Sequence, residues 1–368
     1  MSEPSAPALK EIFNHARLRH IAAQAAAVHD GFDTGRFLAA TADGLEALSL
    51  MARLRRVSAC LHEGLPADYP QALAILRRLA PRLDNRFVTL VLPEYVAMYG
   101  LDDFDLSMDA LRFFTPFGSS EFAVRPFLRQ DLARGLALME TWSRDGDEHV
   151  RRLASEGSRP RLPWSFRLEA LRADPSPAAP ILNQLRGDPS LYVRKSVANH
   201  LNDITKDHPD WVMDLLAGWP LDHPPTAWIA RHALRTLIKQ GDRRALGIVG
   251  AGHVAQVGVE DFSVTPAAIR LGDSVRLAFQ LRSTASLPQR LVIDYAVHYV
   301  KKSGGTSVKV FKLKTLTLAA GATLAITRAQ IIRNFTTRAH YPGRHAVEIF
   351  INGECLARGA FTLLPGGN

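Results

Sequence analysis

The sequence predicts a mainly α-helical protein in two parts, a helical-repeat solenoid followed by an all-β sandwich. Apolar residues recur three and four positions apart up to about Gly250, and the same region contains a weak internal repeat. Alternation with a period of two begins after Gly252. A chain of 368 residues is also too long for one ordinary core. We therefore expect a helical domain over residues 1–252 and a β-domain over residues 253–368.

The helical part is indicated by the spacing of its apolar residues, which places them on one helix face. The clearest runs are Leu73, Ile75, Leu76, Leu79 and Leu191, Val193, Val197, Leu201. Proline and glycine interrupt the region at short intervals, which leaves room for helices of roughly 10–15 residues.

Three segments within this part are similar to one another. Their aligned aliphatic residues, Val150, Val193 and Ile229, lie 43 and 36 residues apart. That spacing is typical of a two-helix unit of the HEAT type, in which an Asp or Pro begins the second helix. Basic residues recur at one place in each unit: Arg152, Lys195 and Arg231. A stack of such units would line them along a concave face, although they could equally be solvated charges on amphipathic helices.

The β-domain is indicated by alternating apolar residues, from Val275 to Leu281 and from Leu291 to Tyr299. Further strand-like runs cover residues 308–318, 322–328 and 345–351, and Asn352-Gly353 is a strong hairpin signal. Seven or so strands in about 110 residues suit an immunoglobulin-like sandwich. The cysteine pair of antibody domains is absent, so only the architecture is implied.

The charge is uneven along the chain. The net charge is +9, and the residues from 256 onward contain 14 Lys and Arg against 6 Asp and Glu. Such an excess favours a polyanionic partner. Lys301 and Lys302 lie beside a predicted hairpin tip, where they would clamp a phosphate backbone. The alternative is that these lysines protect a sheet edge from pairing.

Several functional classes are excluded. Two distant cysteines, Cys60 and Cys355, allow neither a disulfide scaffold nor a multi-cysteine metal site. The histidines lack zinc-ligand spacing, no nucleotide-binding or nucleophile motif is present, and we expect neither a metal nor a cofactor. No membrane span is predicted, and residues 1–10 lack a signal-peptide pattern. We expect a monomer in the cytoplasm.

Two local stretches combine acidic or basic side chains with aromatic ones. In the first, residues 115–127, Gly and Ser lead into a predicted helix whose first turn contains Glu121, followed by Phe122. Its alternative explanation is ordinary helix capping. In the second, residues 159–167, two prolines stiffen a loop that carries Arg159, Arg161 and Trp164. Arginine binds phosphate and Trp faces a base or cation, although a Trp packed in the core under a loop is also common.

A third stretch, residues 193–208, predicts a helix with Leu201 and Ile204 buried. Its polar residues recur at three- and four-residue spacing: Asn199, Asn202, Asp203 and Lys206. A surface Asp–Lys pair is the simpler explanation, but so polar a face, rich in Asn, is unusual on a helix that only needs solubility.

At these three stretches the sequence resembles the alkylpurine DNA glycosylases of the AlkC group, within the HEAT-like-repeat glycosylase superfamily. The matching segments are residues 119–126, 159–164 and 193–203. Some members of the group also have an immunoglobulin-like C-terminal domain. The resemblance implies a monofunctional glycosylase that removes 3-methyladenine and 3-methylcytosine from double-stranded DNA, without flipping the base. It also implies Glu121 and Asp203 as the carboxylates at the lesion, with Trp164 beside it.

The chemistry agrees with these residue types. Cleavage of the bond leaves an oxocarbenium-like sugar, which a carboxylate stabilises, and a carboxylate also orients or deprotonates the attacking water. We assign water activation to Glu121 and electrostatic support to Asp203. The candidates for binding DNA are Phe122, Arg152, Arg159, Arg161, Arg194, Lys195, Lys206, Arg231, Lys301 and Lys302.

A non-enzymatic protein is the main alternative. HEAT-type solenoids and immunoglobulin-like domains often bind proteins. In that case Glu121 and Asp203 are ordinary surface acids, and the protein is a scaffold or a DNA-structure-binding protein.

Overall fold

The computed structural model describes residues 9–335 and 339–365. Residues 1–8, most of the N-terminal segment that lacks a signal-peptide pattern, therefore lie outside the described residues. The chain divides into two compact units. Of the described residues, unit 1 contains 9–208 and 223–229, and unit 2 contains 209–222, 230–335 and 339–365.

Within the described ranges, sixteen α-helices precede the strands. They are α1 His15–Ala26, α2 Thr34–Ala42, α3 Leu50–Glu63, α4 Tyr69–Leu79, α5 Val91–Tyr99, α6 Phe104–Phe114, α7 Arg125–Gln130, α8 Leu132–Trp142, α9 Glu148–Gly157, α10 Glu169–Ala173, α11 Ala179–Gln184, α12 Leu191–Ile204, α13 Pro209–Ala217, α14 Pro224–Ala233, α15 Arg235–Lys239 and α16 Arg243–Ile248. Short 3-10 helices cover Leu9–Ile12, Leu45–Ala47, Ala80–Arg82, Val88–Leu90 and Ser176–Ala178. Many α-helices begin where an Asp or Ser side chain accepts a backbone N–H, as Asp68 does before α4.

The predicted helix faces are buried, with one exception. All four apolar residues of the first run lie inside α4 and are buried. In α12, Val193, Val197 and Leu201 are buried, but Leu191 is 43% exposed and does not belong to the buried face. Leu191 is the first residue of the helix, directly after the cap Ser190, and there the chain has not yet turned its apolar face inward.

The repeat predicted from the sequence coincides with packed helices. Val150 in α9, Val193 in α12 and Ile229 in α14 are all buried, and α9 packs against α12. Asp147 caps α9 as predicted, since its side chain accepts from the His149 N–H. The cap of α12 is Ser190, however, and not the preceding Asp or Pro.

Unit 2 contains the strands, which form two sheets. The strands are β1 Val257–Thr265, β2 Ala268–Ile269, β3 Ser274–Ser283, β4 Gln289–Val300, β5 Thr306–Leu318, β6 Thr323–Ile331, β7 Gly343–Ile351 and β8 Glu354–Leu363. One sheet has the order β1-β3-β6, and the other has the order β2-β8-β7-β4-β5. All pairs are antiparallel except β2 with β8. Their inward side chains share one apolar core, so the fold class predicted from the sequence, helices followed by an immunoglobulin-like sandwich, is confirmed.

Strand β3 alternates between buried and exposed residues as predicted, whereas β4 is buried on both faces. The second face of β4 is covered because Val292 packs with Leu246 and Ala251, at the end of the helical region. The predicted Asn352-Gly353 hairpin joins β7 and β8, and both residues have the positive φ that such a turn requires.

The change from helix to strand falls between Ile248 and Val257, close to the predicted boundary at residue 252. Unit 2 nevertheless includes α13, α15 and α16 together with the strands. The limits of domains that fold independently therefore remain a prediction. Among the described helices, none combines the length and the apolar character that crossing a membrane requires.

Candidate active site

A cavity of about 470 Å³ in unit 1 brings together two of the stretches singled out from the sequence. Glu121 and Phe122 of the first stretch and Arg159 and Trp164 of the second line it. Helix α9 contributes Arg152, as well as Glu156, which the sequence analysis did not select. The third stretch borders the cavity only through Tyr192, the residue just before it.

Glu121 lies in a turn between α6 and α7, and not in the first turn of a helix as predicted. Residues 121–124 form the turn, and α7 begins only at Arg125. The Ser119 hydroxyl donates to Oε2 of Glu121 at 2.7 Å, and the same oxygen forms an ion pair with Arg152. Both partners of that ion pair expose 14% of their side chains. The carboxylate is therefore fixed at the cavity wall and remains partly accessible.

Glu156 continues this charge network toward the protein interior. Its Oε1 lies 3.6 Å from the Arg152 guanidinium and accepts from Nη1 of Arg159 at 2.6 Å. Its Oε2 accepts from the Ser196 hydroxyl at 2.6 Å. Burial raises the pKa of Glu156, but the attraction of Arg152 and Arg159 outweighs burial and leaves the pKa below its ordinary value. Glu156 is therefore an anion that links two arginines.

Asp203 forms the far end of the network. Nε of Arg159 donates to Oδ2 of Asp203 at 2.8 Å, and Nζ of Lys206 donates to Oδ1 at 2.9 Å. Asp203 is buried in α12 and does not line the described cavity. It connects to that cavity through Arg159. The six side chains alternate in charge in the order Glu121, Arg152, Glu156, Arg159, Asp203 and Lys206.

The predicted polar face of α12 is thus mostly internal. Asn202 and Asp203 are buried, although Leu201 and Ile204 are buried as expected. Only Lys206, just after the helix, is exposed. The surface-pair explanation therefore fails for Asp203, because the packing of α9 against α12 covers it.

The loop that carries Trp164 is held from below by Arg125. This buried guanidinium donates to the carbonyl oxygens of Gly157 at 2.9 Å, Arg159 at 2.7 Å and Phe166 at 2.5 Å. Burial, reinforced by the charge of Arg159, lowers the pKa of Arg125 to about 10. Three carbonyl contacts from one side chain fix the path of the loop.

Trp164 itself is 64% exposed, so the alternative of a Trp packed in the core is wrong. It follows Pro163 in a turn closed by the Ser165 N–H and the Leu162 carbonyl at 3.3 Å. Its φ is +65°, a value that such a turn normally assigns to Gly or Asn. A large aromatic residue kept in a strained position with its ring exposed is typical of a functional site.

Tyr192, in the first turn of α12, contributes a further aromatic ring to the cavity. The Arg152 guanidinium lies over this ring, 5.1 Å from its centre. The Tyr192 and His149 rings pack edge to face, with their centres 5.4 Å apart. Arg86 donates to Nδ1 of His149 at 3.2 Å. Burial and the charge of Arg86 lower the pKa of His149.

A buried histidine lies behind the network. Nδ1 of His200 is 2.9 Å from the Ser155 carbonyl oxygen, which can only accept, so Nδ1 carries the proton. Burial, with the nearby charge of Arg159, lowers the pKa of His200 to about 4. His200 is therefore neutral in the folded protein at ordinary pH and joins α9 to α12.

The other predicted DNA-binding residues are distributed over both units. Arg161 pairs with Asp207 through two nitrogens, and Arg194 donates to the carbonyls of Asp188 and Pro189. The remaining candidates are Lys195, exposed on α12, Arg231, half-buried in unit 2, and Lys301 and Lys302, exposed between β4 and β5. Contact with DNA remains a prediction for all of them.

Residues at or beside the site that were missed from the sequence include Arg125, Glu156, Tyr192 and Ser196. A signal existed for Glu156, because it follows Arg152 by four positions and precedes Arg159 by three, and side chains at these spacings meet on a helix. Within the described ranges, no group of three or more His, Cys, Asp or Glu side chains is arranged to hold a metal ion.

Comparisons with known proteins show which families the chain resembles. Residues 115–237 match the family model described as DNA alkylation repair enzyme, and residues 258–365 match the C-terminal Ig-like domain model of the uncharacterised protein YhaZ. The chain is 42% identical to the uncharacterized protein YhaZ of Bacillus subtilis over 94% of this chain and 96% of that protein.

A solved structure is also similar along nearly the whole chain. It is the alkylpurine DNA glycosylase AlkC of Pseudomonas fluorescens, bound to DNA that contains an abasic site analog. The identity is 59% and the TM-score is 0.94, with 98% of this chain and 100% of that chain covered.

Proposed function

Because this chain belongs to the AlkC family of alkylpurine DNA glycosylases, we propose that it hydrolyses the N-glycosidic bond of cationic alkylated bases in double-stranded DNA. Its substrates are then 3-methyladenine and 3-methylcytosine. Both bases are positively charged, so the bond is already weakened and the base leaves without a general acid. The protein has to supply a negative charge that stabilises the sugar cation, an oriented water that attacks it, and contacts that bind the DNA.

One observation carries the proposal: Glu121 and the exposed ring of Trp164 line the same cavity. Cleavage leaves positive charge on the sugar, and a fixed carboxylate stabilises that charge in the transition state. The face of an indole ring attracts a cationic base or sugar in the same way. Neither group needs to move far, since Glu121 is held by Ser119 and Arg152, and Trp164 by its turn.

The same carboxylate is suited to activate water. The hydrogen bonds that described residues make to the Glu121 side chain go to Oε2, which leaves Oε1 to accept a proton from water. Glu121 then acts as the general base and as the electrostatic stabiliser.

Asp203 acts at a distance from the lesion. It is buried and binds Arg159, which lines the cavity and also binds Glu156. Its negative charge balances Arg159, so that Glu156 and Glu121 keep their own charges at the cavity. We therefore assign Asp203 a positioning role.

The reaction proceeds without flipping the base into a pocket. In support of this, the Trp164 ring, which lines the cavity, is 64% exposed and so lies at the protein surface, where it can meet a base that stays in the duplex. The protein acts as a monomer on cytoplasmic DNA. Lys301 and Lys302 of the β-domain hold phosphates, and Arg152 and Lys195 hold phosphates near the lesion.

The test is release of free base from methylated duplex DNA by the wild type, Glu121→Gln and Glu169→Gln. Glu169 is the matched control, because it is an exposed glutamate paired with Arg172 outside the cavity. We expect Glu121→Gln to lose about 100-fold or more in rate with folding intact, and Glu169→Gln to match the wild type. Equal activity of all three proteins would discard Glu121 as the base. No release by the folded wild type would favour a DNA-structure-binding protein.

A further inference from the structure

The cavity already holds one cation between an anion and an aromatic ring. The guanidinium of Arg152 pairs with the Glu121 carboxylate and lies over the ring of Tyr192, 5.1 Å from its centre. Tyr192 is 38% exposed and lines the same cavity as Trp164 and Glu121. The ring and the carboxylate together form a site with the chemistry that binds positive charge.

Resting on the proposed function, we propose that Glu121 and Tyr192 form a cation seat that Arg152 shares with the positively charged base or sugar of the substrate. Tyr192 then determines the preference for cationic over neutral lesions. A neutral base gains little from the ring face and leaves Arg152 in the seat, whereas a cationic group competes for both partners.

Arg152 has other partners available when it leaves the seat. Glu156 lies 3.6 Å from its guanidinium, and a DNA phosphate offers a second anion. Displacement of Arg152 from Glu121 therefore replaces one ion pair with another and leaves no buried charge unpaired. The side chain of Arg152 is 14% exposed, so it reaches the cavity without rearrangement of α9.

The ring of Tyr192 is fixed in its position. Ser190 caps the start of α12 by accepting the Tyr192 backbone N–H at 3.2 Å, and His149 packs edge-on against the ring at 5.4 Å. The cap fixes the Tyr192 backbone, and the contact with His149 supports the ring with its face toward the guanidinium. Such preorganisation is what a selective cation site requires, because no binding energy is spent in ordering it.

The experiment measures binding to two duplexes that differ only in the charge of an abasic-site analogue. One contains a protonated pyrrolidine in place of the sugar, and the other contains a neutral tetrahydrofuran. The quantity of interest is the ratio of the two dissociation constants, because the phosphate contacts cancel in it. We expect the wild type to prefer the cationic duplex.

Tyr192→Leu should reduce that preference by about three- to tenfold, and Tyr192→Phe, which keeps the ring, should retain most of it. Phe113→Leu is the matched control, since Arg77 lies over Phe113 at 4.8 Å but neither residue lines the cavity. A ratio that is unchanged in Tyr192→Leu, or reduced equally in Phe113→Leu, overturns the proposal. Thermal unfolding of each variant shows whether it is folded.

Arg152→Gln provides a second arm that does not depend on the ring. It should weaken binding to both duplexes, because it removes a cation that binds phosphate, and should raise the preference for the cationic one, because the competitor is gone. A lowered ratio contradicts a shared seat.

The two proposals fail in different ways. A wild type that releases 3-methyladenine but binds both analogues equally keeps the glycosylase and removes the seat. A wild type that prefers the cationic duplex but releases no alkylated base keeps the seat and removes the proposed reaction.

Discussion

Arg159 donates from Nε to Oδ2 of Asp203 at 2.8 Å and thereby ties the loop after α9 to the end of α12. Their side chains are 9% and 5% exposed, so both charges are nearly removed from water. Removal of one partner from such a pair leaves the other charge uncompensated, which costs more than the net worth of the pair. This relationship makes Asp203 a residue for structure as well as for electrostatics.

Asp203→Asn should therefore lower the free energy of unfolding by about 1–3 kcal/mol, measured by chemical denaturation. The matched control is Asp207→Asn, four residues later. Asp207 also pairs with an arginine, Arg161, but at the surface, where such a pair is worth about 0–1 kcal/mol. Equal destabilisation by the two changes would show that burial of Asp203 does not matter.

At Trp164 we expect the residue that is best for stability to differ from the residue that activity requires. Its φ of +65° suits glycine, whereas any residue with a Cβ is strained there. Trp164→Gly should be more stable than Trp164→Ala by about 1 kcal/mol, while both variants lose base release because the ring is gone. The comparison needs unfolding curves and a release assay on the same preparations. An alanine variant as stable as the glycine variant would mean that the backbone at this position is not strained.

Because His200 is buried, we expect the free energy of unfolding to fall in acid. Its folded-state pKa of about 4 lies below the ordinary histidine value, so between roughly pH 6.5 and 4 the unfolded chain binds a proton that the folded chain does not. Its stability contribution is complete above pH 6.5 and is lost as the pH falls toward 4, by about 2 kcal/mol at pH 5. His200→Gln, which also donates to the Ser155 carbonyl, should remove this part of the pH dependence.

The control for that measurement is His15→Gln, an exposed histidine at the start of α1. Its pH dependence of unfolding should follow the wild type. If the pH dependence of unfolding of His200→Gln also follows the wild type, His200 does not contribute to the loss of stability in acid.

Much of the fold was predictable because it depends on local patterns. The alternation in β3 and the buried face of α4 follow directly from apolar spacing, and the Asn352-Gly353 hairpin follows from turn chemistry. The burial of both faces of β4 was not predictable. It depends on Val292 meeting Leu246, which lies 46 residues earlier in a helix.

The site also has a part that was predictable from the sequence and a part that was not. Glu121 and Trp164 were chosen from their residue types and from the resemblance, and the structure places both in one cavity. Two links of the network behind them join residues far apart in the sequence: Arg152 with Glu121, 31 positions apart, and Arg159 with Asp203, 44 positions apart. The first link joins α9 to the turn before α7, and the second joins the loop after α9 to α12. Residue spacing within one helix cannot encode either of them.

The β-domain gives the last prediction, a role in gripping DNA. Deletion of residues after 252 is a poor test, because Leu246 and Ala251 pack on Val292 and would lose their cover. Substitution of Lys301 and Lys302 is cleaner, since both are exposed in the turn between β4 and β5.

Lys301→Gln with Lys302→Gln should weaken binding to any duplex, damaged or not. Removal of each lysine–phosphate pair should reduce the slope of log affinity against log salt by about 1. The control is Arg276→Gln, an exposed basic residue on β3 that removes charge from the same domain without touching this turn. Base release should fall with affinity and recover at high enzyme concentration, because the proposed catalytic residues Glu121 and Trp164 lie in unit 1. An unchanged salt slope in the double variant would mean that these lysines only protect the sheet edge, and a slope reduced equally by Arg276→Gln would mean that net charge, and not a local clamp, attracts the DNA.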